Sequence, residues 1–244
     1  SAPAPSRKPS SGNFRLPSAY QIAPPSESTQ STGGFIVKMR DYPFLTRQTR
    51  HSWFKLRQPV RRGNSTEIDV RGTLQLASRQ LYVFDPLKRP PRRNQTELMI
   101  LQDCEGSMVP FRPILDRLVN TIETQRFAQV NRYYFRNCPR DLVYCHPKGA
   151  ESEYLENLPL NRTTTVLIIL SDGGAARGNY NPQRIEMMKQ FLEKVQYRVK
   201  SIIWINPVPE SRWQGTSAAE INRLLEGKMF ELSQEGLIAA LKNG

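Results

Sequence analysis

Leu98-Met99-Ile100-Leu101-Gln102-Asp103-Cys104-Glu105-Gly106-Ser107-Met108 is the stretch whose reading decides the fold. Its four leading residues form a continuous apolar run, the pattern of a strand buried on both faces. An acidic loop, Asp103 to Met108, follows at once and opens toward a helix. Val166 to Leu170 followed by Ser171-Asp172-Gly173-Gly174 repeats the arrangement. Two fully apolar strands, each ending in an acidic loop, put carboxylates at the C-terminal edge of a parallel sheet. That edge is where open α/β sheets gather their ligand-binding groups.

Outward from these two units the alternation is regular. Ser107 to Phe127 reads as a helix with Phe111, Ile114, Leu115, Leu118 and Ile122 on one face. Arg132 to Arg136 and Leu142 to Tyr144 read as strands joined by Asn137-Cys138-Pro139-Arg140-Asp141, a link short enough to require an antiparallel pair. Pro182 suits the first turn of a helix running to about Arg198. Strand Ser201 to Ile205, helix Ser217 to Leu225, strand Met229 to Leu232 and helix Gln234 to Lys242 complete the series. The expectation is an α/β domain over residues 98–244, doubly wound, with a mainly parallel sheet and one antiparallel strand.

The N-terminal third differs in kind. Residues 1–34 are rich in Ser and Pro and read as a flexible tail that buries too little surface to offset ordering entropy. Residues 35–97 read as a basic extension with short helices. One spans Thr46 to Arg57 and carries Trp53, Phe54 and Leu56; another is capped at Asn64-Ser65-Thr66-Glu67, with Val70, Leu74, Ala77 and Leu81 on one face. Pro86 to Asn94 reads as a basic, proline-rich loop. Of the net charge of +13, residues 1–97 hold +11, from 17 Lys and Arg against 6 Asp and Glu, so the basicity belongs to this region. Lys38, Arg40, Arg47, Arg50, Lys55, Arg57, Arg61 and Arg62, interleaved with Trp53 and Phe54, make a candidate nucleic-acid patch. No run approaches the length of a membrane span, and SAPAPSRKPSS lacks the apolar run of a signal peptide. Cys104, Cys138 and Cys145 lack metal-type spacing and read as reduced thiols of a cytoplasmic protein; Cys138 and Cys145 flank the hairpin and could approach each other.

The two acidic loops resemble those of von Willebrand factor type A (vWA) domains, which are Rossmann-like. Asp103 to Met108 is similar to the DxSxS-Met segment of the metal ion-dependent adhesion site (MIDAS), and Ser171-Asp172-Gly173 to its later loop. SDGGAARGNYNPQRIE, SIIWINPVPESRWQGTSAAEINRL and MFELSQEGL resemble the bacterial CoxE-like subgroup, encoded with MoxR-type AAA+ ATPases. The resemblance covers about 150 residues with high specificity and some 60 more, in the basic N-terminal segment, with low specificity. It implies Mg²⁺ or Mn²⁺ held by Asp103, Glu105, Ser107 and Asp172, and partner contacts at Met108, Gly173, Arg177 and Trp213. Two departures make the site degenerate. Glu105 stands where the family has its first serine, and Lys148-Gly149-Ala150-Glu151-Ser152 contains no Gly-Thr pair to supply a threonine ligand. Three acids around one dication would neutralise it and weaken its pull on a partner's carboxylate.

Simpler roles compete for the same residues. Asp103 and Asp172 also suit capping of the helices that follow them. Gly173 and Gly174 suit a turn, Arg177 an ion pair, and Trp204 and Trp213 core packing. His51 and His146 stand apart from any nucleophile, so nothing supports a triad. The enzyme alternative is a haloacid dehalogenase-like phosphohydrolase with Asp103 as nucleophile and Glu105 as acid/base. It lacks the late acidic strand end, since Ile205-Asn206-Pro207-Val208-Pro209 carries no acid. The sequence therefore points to a non-enzymatic adaptor working with a protein partner, a MoxR-type ATPase or a component of its system. Binding of nucleic acid through the basic region is the second reading.

Overall fold

The computed structural model describes residues 52–79, 85–149 and 151–242. A one-turn 3₁₀ helix at Trp53–Leu56 leads into β1 (Pro59–Arg61) and β2 (Glu67–Ile68), then α1 (Val70–Arg79), β3 (Lys88–Arg89) and β4 (Arg92–Asn94). β1 pairs antiparallel with β4, and β2 with β3, so the two arms form a narrow ribbon. The remaining strands are β5 (Glu97–Asp103), β6 (Gln129–Phe135), β7 (Leu142–Tyr144), β8 (Ser152–Tyr154), β9 (Thr165–Leu170), β10 (Ser201–Asn206) and β11 (Met229–Glu231). Between them lie α2 (Arg112–Glu123), α3 (Pro182–Val195) and α4 (Ser217–Leu224), with α5 (Gln234–Ala240) last.

These seven strands form one sheet in the order β11-β10-β9-β5-β6-β7-β8. β5, β6, β9, β10 and β11 are parallel; β7 runs antiparallel to both of its neighbours. The architecture is thus α/β with a mostly parallel sheet in which one strand is reversed. The chain enters this sheet at its centre with β5, proceeds to one edge through β6, β7 and β8, then returns to β9 on the other side of β5. The central strands are apolar because both of their faces are covered. Every residue of β9 is buried, as is β5 from Leu98 to Asp103. Ile114, Leu115, Leu118 and Ile122 of α2, with Met188, Phe191 and Val195 of α3, complete the core.

Several expectations needed correction. The helix expected from Ser107 begins only at Arg112; Gly106–Phe111 is 3₁₀. Pro110 and Pro113 lack the amides that would continue an i→i+4 ladder, so the first turn tightens and α2 starts with proline in its opening turn. α1 is capped not at Asn64–Glu67 but by Asp69, whose carboxylate accepts from the Gly72 amide at 3.2 Å. The expected basic loop at Pro86–Asn94 contains β3 and β4, and β8 was not anticipated. Of Thr46–Arg57, Ser52 and Trp53–Leu56 are helical among the described residues, and 46–51 lie outside them. The tail 1–34 and Phe35, where order was expected to start, also lie outside.

Hydrogen bonds cross the boundary expected at residue 97: Asn94 Nδ2 donates to the Arg126 carbonyl at 2.9 Å and the Ala128 amide to the Thr96 carbonyl at 2.9 Å. All described residues fall in one compact unit. The Thr96 hydroxyl donates to the Leu56 carbonyl at 2.7 Å, and the Gln58 amide donates to Asn94 Oδ1 at 2.9 Å. Trp53 and Leu56 are buried completely or nearly so. Trp53→Ala should therefore lower unfolding free energy by about 3–5 kcal/mol in a urea titration while leaving a single transition. Trp53→Phe should cost far less, since the indole Nε1 is buried without an acceptor among the described residues. An early, separate transition in Trp53→Ala would show instead that the segment unfolds by itself.

Candidate functional site

β5 and β9 are nearest neighbours, with Gln102 opposite Leu170. Their loops therefore leave the sheet side by side, and the structure brings Asp103, Ser107 and Asp172 together. The Ser107 hydroxyl donates to Asp172 Oδ2 at 3.0 Å, joining the first loop to the second. The Ser171 hydroxyl donates to Asp103 Oδ2 at 3.1 Å, joining them again. Asp103 Oδ1 accepts from the amides of Glu105 (3.3 Å) and Asn137 (3.2 Å), and Asp172 Oδ2 accepts from the Ala176 amide (3.1 Å). Neighbouring β10 steadies the second loop: Trp204 Nε1 donates to the Ser171 carbonyl at 2.7 Å and Asn206 Nδ2 to the Asp172 carbonyl at 2.9 Å.

Asp103 and Asp172 are only 4% and 2% exposed. Burial, and after it the charge of Asp172, pushes the Asp103 carboxyl up to about 7 against the three hydrogen bonds that favour its ionised form. Two adjacent buried carboxylates and the Ser107 hydroxyl supply the oxygen donors a hard dication prefers, with water left to complete the shell. Glu105 does not join them. It is exposed, and the described residues contain no group of three acidic, His or Cys side chains able to hold a metal. Asp103, Ser107 and Asp172 are oxygen donors of the type Mg²⁺ or Mn²⁺ takes, but the fourth ligand expected from the sequence is not among them. Cys104 turns away, its thiol donating to the Phe135 carbonyl at 3.3 Å. All three cysteines are free.

Above the carboxylates lies a polar cavity of about 730 Å³, lined by Asp103, Glu105, Gly106, Ser107 and Asn137 on one side and by residues 177–182 and Arg184 on the other. Arg177 lies across Gly106, where a Cβ would come within 2.8 Å of its Nη2. Arg184, from the first turn of α3, crosses Gly174 so closely that a Cβ there would stand 2.1 Å from its Nη1. Both glycines have positive φ, +60° and +94°. Arg184 Nη2 donates to Asn137 Oδ1.

The partner-contact candidates divide sharply. Arg177 faces the cavity. Met108 is buried and its sulfur accepts from the Asp172 amide at 3.2 Å; Gly173 is buried against Ala218; Trp213 is 3% exposed, its Nε1 donating to the Val208 carbonyl. These three are interior packing residues, because the segments that carry them turn inward to close the ends of the sheet. Arg184, Asn137 and Ser171 were missed. The available signals were the arginine one turn into a helix announced by Asn181-Pro182, and an asparagine in a tight connection, where Asn137 adopts φ +65°.

In the basic patch, Lys38, Arg40, Arg47 and Arg50 lie outside the described residues. Lys55 and Arg62 are exposed, Arg57 stacks on Phe54 at 4.2 Å, and Arg61 pairs with Glu67 at 3.1 Å. The ribbon adds Arg92 and Arg93, opposite Arg61 and Val60.

Compared with protein-family models, curated proteins and solved structures, the chain matches none.

An acid whose pKa is raised on folding contributes its full stability below its unfolded value, near 3.8, and loses that contribution as pH rises through about 7. Asp103→Asn keeps an acceptor for the two amides and removes the buried charge. Its stability relative to the unsubstituted chain should thus improve by about 2–4 kcal/mol between pH 4 and pH 8 in urea titrations without divalent cations. A margin that is flat with pH would show that Asp103 ionises as freely in the fold as in the unfolded chain.

Proposed function

We propose that the chain is a non-enzymatic protein-interaction module, an adaptor that seats a partner on the loops beyond β5 and β9. The observation that carries this reading is the Ser107–Asp172 hydrogen bond. It makes one polar surface out of two loops separated by some 60 residues of chain, as a vWA-like, Rossmann-like domain with an adhesion site would. The resemblance of the same loops to CoxE-like proteins names the partner class, a MoxR-type AAA+ ATPase or a component of its system. Free cysteines suit a cytoplasmic setting. No helix among the described residues is long and apolar enough to cross a membrane.

Asp103, Ser107 and Asp172 would hold Mg²⁺ or Mn²⁺, and the ion would supply positive charge beneath the cavity. The chain's own residues then orient what binds. Ser107 keeps the loops together, and Arg177 presents a guanidinium at the mouth. The dehalogenase-like alternative is weaker because both Asp103 oxygens accept hydrogen bonds and the carboxyl is buried, which hinders in-line attack on a phosphoryl group. A second reading, nucleic-acid binding, draws on the exposed β1–β4 ribbon with Arg62, Arg92 and Arg93. Its mark would be binding to arbitrary duplex DNA that falls steeply with salt.

A pull-down with the purified chain, in Mg²⁺ and in EDTA, should capture a MoxR-type ATPase, and Arg177→Glu should abolish capture. Capture unaffected by that change would move the interface away from the cavity. Calorimetry should show Mg²⁺ or Mn²⁺ binding that Asp103→Ala abolishes and Glu105→Ser leaves within about threefold, since an exposed carboxylate outside the donor set contributes little. No heat at millimolar metal would leave the partner to be held by shape and charge alone. Phosphate release from simple phosphomonoesters that Asp103→Asn removes would favour the enzyme instead.

A further inference from the structure

Positive charge at the cavity is more available than negative charge, although the loops that build it are acidic. Asp103 spends both oxygens on the Glu105 and Asn137 amides and the Ser171 hydroxyl. Arg177 makes no hydrogen bond or ion pair among the described residues. Arg184 makes no ion pair there either. Its Nη2 is held by Asn137 Oδ1, and its Nε is buried without an acceptor. A buried donor left unpaired costs more than a bond made, so the arrangement favours whatever supplies the missing acceptor. Two glycines leave room for both guanidiniums, Arg177 beside Gly106 and Arg184 beside Gly174, where a Cβ would collide with them.

We propose that Arg177 and Arg184 form a guanidinium clamp that binds an oxyanion, a carboxylate or a phosphate group, directly and without a divalent cation. The fork of a guanidinium matches the paired oxygens of such a group, and charge-assisted bonds of this kind are about twice as strong as neutral ones. Arg184 is already tethered, so ordering it on binding costs little side-chain entropy. The ligand reaches the clamp through the open mouth, where Arg177, Gly178, Asn179 and Tyr180 are exposed. The inference rests on the interaction reading only for the source of the oxyanion, an acidic segment of a protein partner.

The test is NMR on the ¹⁵N-labelled full chain in EDTA, titrated separately with inorganic phosphate and with a tetra-aspartate peptide. Both probes should shift the Arg177 and Arg184 Nε–Hε resonances. Arg177→Ala with Arg184→Ala should weaken binding by about tenfold or more, the loss expected when charge-assisted bonds are removed. Arg162→Ala, at an exposed position away from the cavity, should not. Should the double variant fail to fold, Arg177→Ala alone serves, because that guanidinium makes no hydrogen bond or ion pair among the described residues. Shifts with phosphate but none with the peptide uphold the clamp and remove its protein source, and with it the interaction reading. No shift with either probe, or shifts that require Mg²⁺, overturn the clamp; the second result would place the oxyanion on a cation held by Asp103 and Asp172.

Discussion

The parallel pairing of β5 with β9 is the constraint on which the rest of the site depends. Ladder bonds fix Gln102 beside Leu170, and a slip of one residue would turn every side chain of the slipped strand to the opposite face. With that register held, Asp103 and Ser171-Asp172 leave the sheet at the same edge. It is also where the chain order reverses, since β5 leads away to β6 on one side and β9 leads to β10 on the other. Connections diverging from neighbouring strands leave a crevice between them. The cavity beneath Arg177 and Arg184 occupies that place.

Setting two acids side by side in such a crevice is costly, and the surrounding structure is arranged to bear the cost. Each carboxylate is approached by one hydroxyl from the other's loop, Ser171 to Asp103 and Ser107 to Asp172. Backbone amides at residues 105, 137 and 176 supply the remaining donors. Behind them Trp204 and Asn206, both buried completely, tie the carbonyls of Ser171 and Asp172 to β10. The compensation is incomplete, because Asp103 still sits near 7 rather than near 4. A fold selected for stability alone would place an apolar residue there. Two buried acids held side by side at the C-terminal edge of a parallel sheet are a local exception to packing for stability, of the kind that marks candidate sites.

What the sequence revealed follows from periodicity, and what it hid follows from distance along the chain. The runs Leu98–Leu101 and Val166–Leu170 announced buried parallel strands because no other element of that length needs to be apolar on both faces. The Asn137–Asp141 link announced the reversed strand because it is too short to cross the sheet. Ser152–Tyr154 was hidden because an edge strand of three residues carries no alternation. The β1–β4 ribbon was hidden for a related reason: Arg61 and Arg92 become neighbours only through backbone bonds, to which side-chain patterning is blind. Within the site, Asp103, Ser107 and Asp172 were legible because they lie in the loops that end the strands. Arg184 reaches the cavity from a helix, and Asn137 from the end of another strand, so neither lies in the two acidic loops themselves.

Side-chain directions in the two loops follow from packing rather than from position along the chain. Met108, Gly173 and Arg177 lie in or just after the acidic segments, and position along the chain treats them alike. Packing does not. Met108 fills the space beneath Asp172, Gly173 leaves room for Ala218, and only Arg177, past the positive φ of Gly174, turns outward. The solvent-facing surface of these loops is consequently defined by the residues the core rejects. Asp103 and Asp172 are drawn inward and hydrogen-bonded, Glu105 alone of the three acids is exposed, and Arg177 and Arg184 line the cavity. The electrostatic character of the cavity mouth is therefore opposite in sign to that of the loops that build it. Asp103 and Asp172 tie the loops together, and the arginines line the cavity above them.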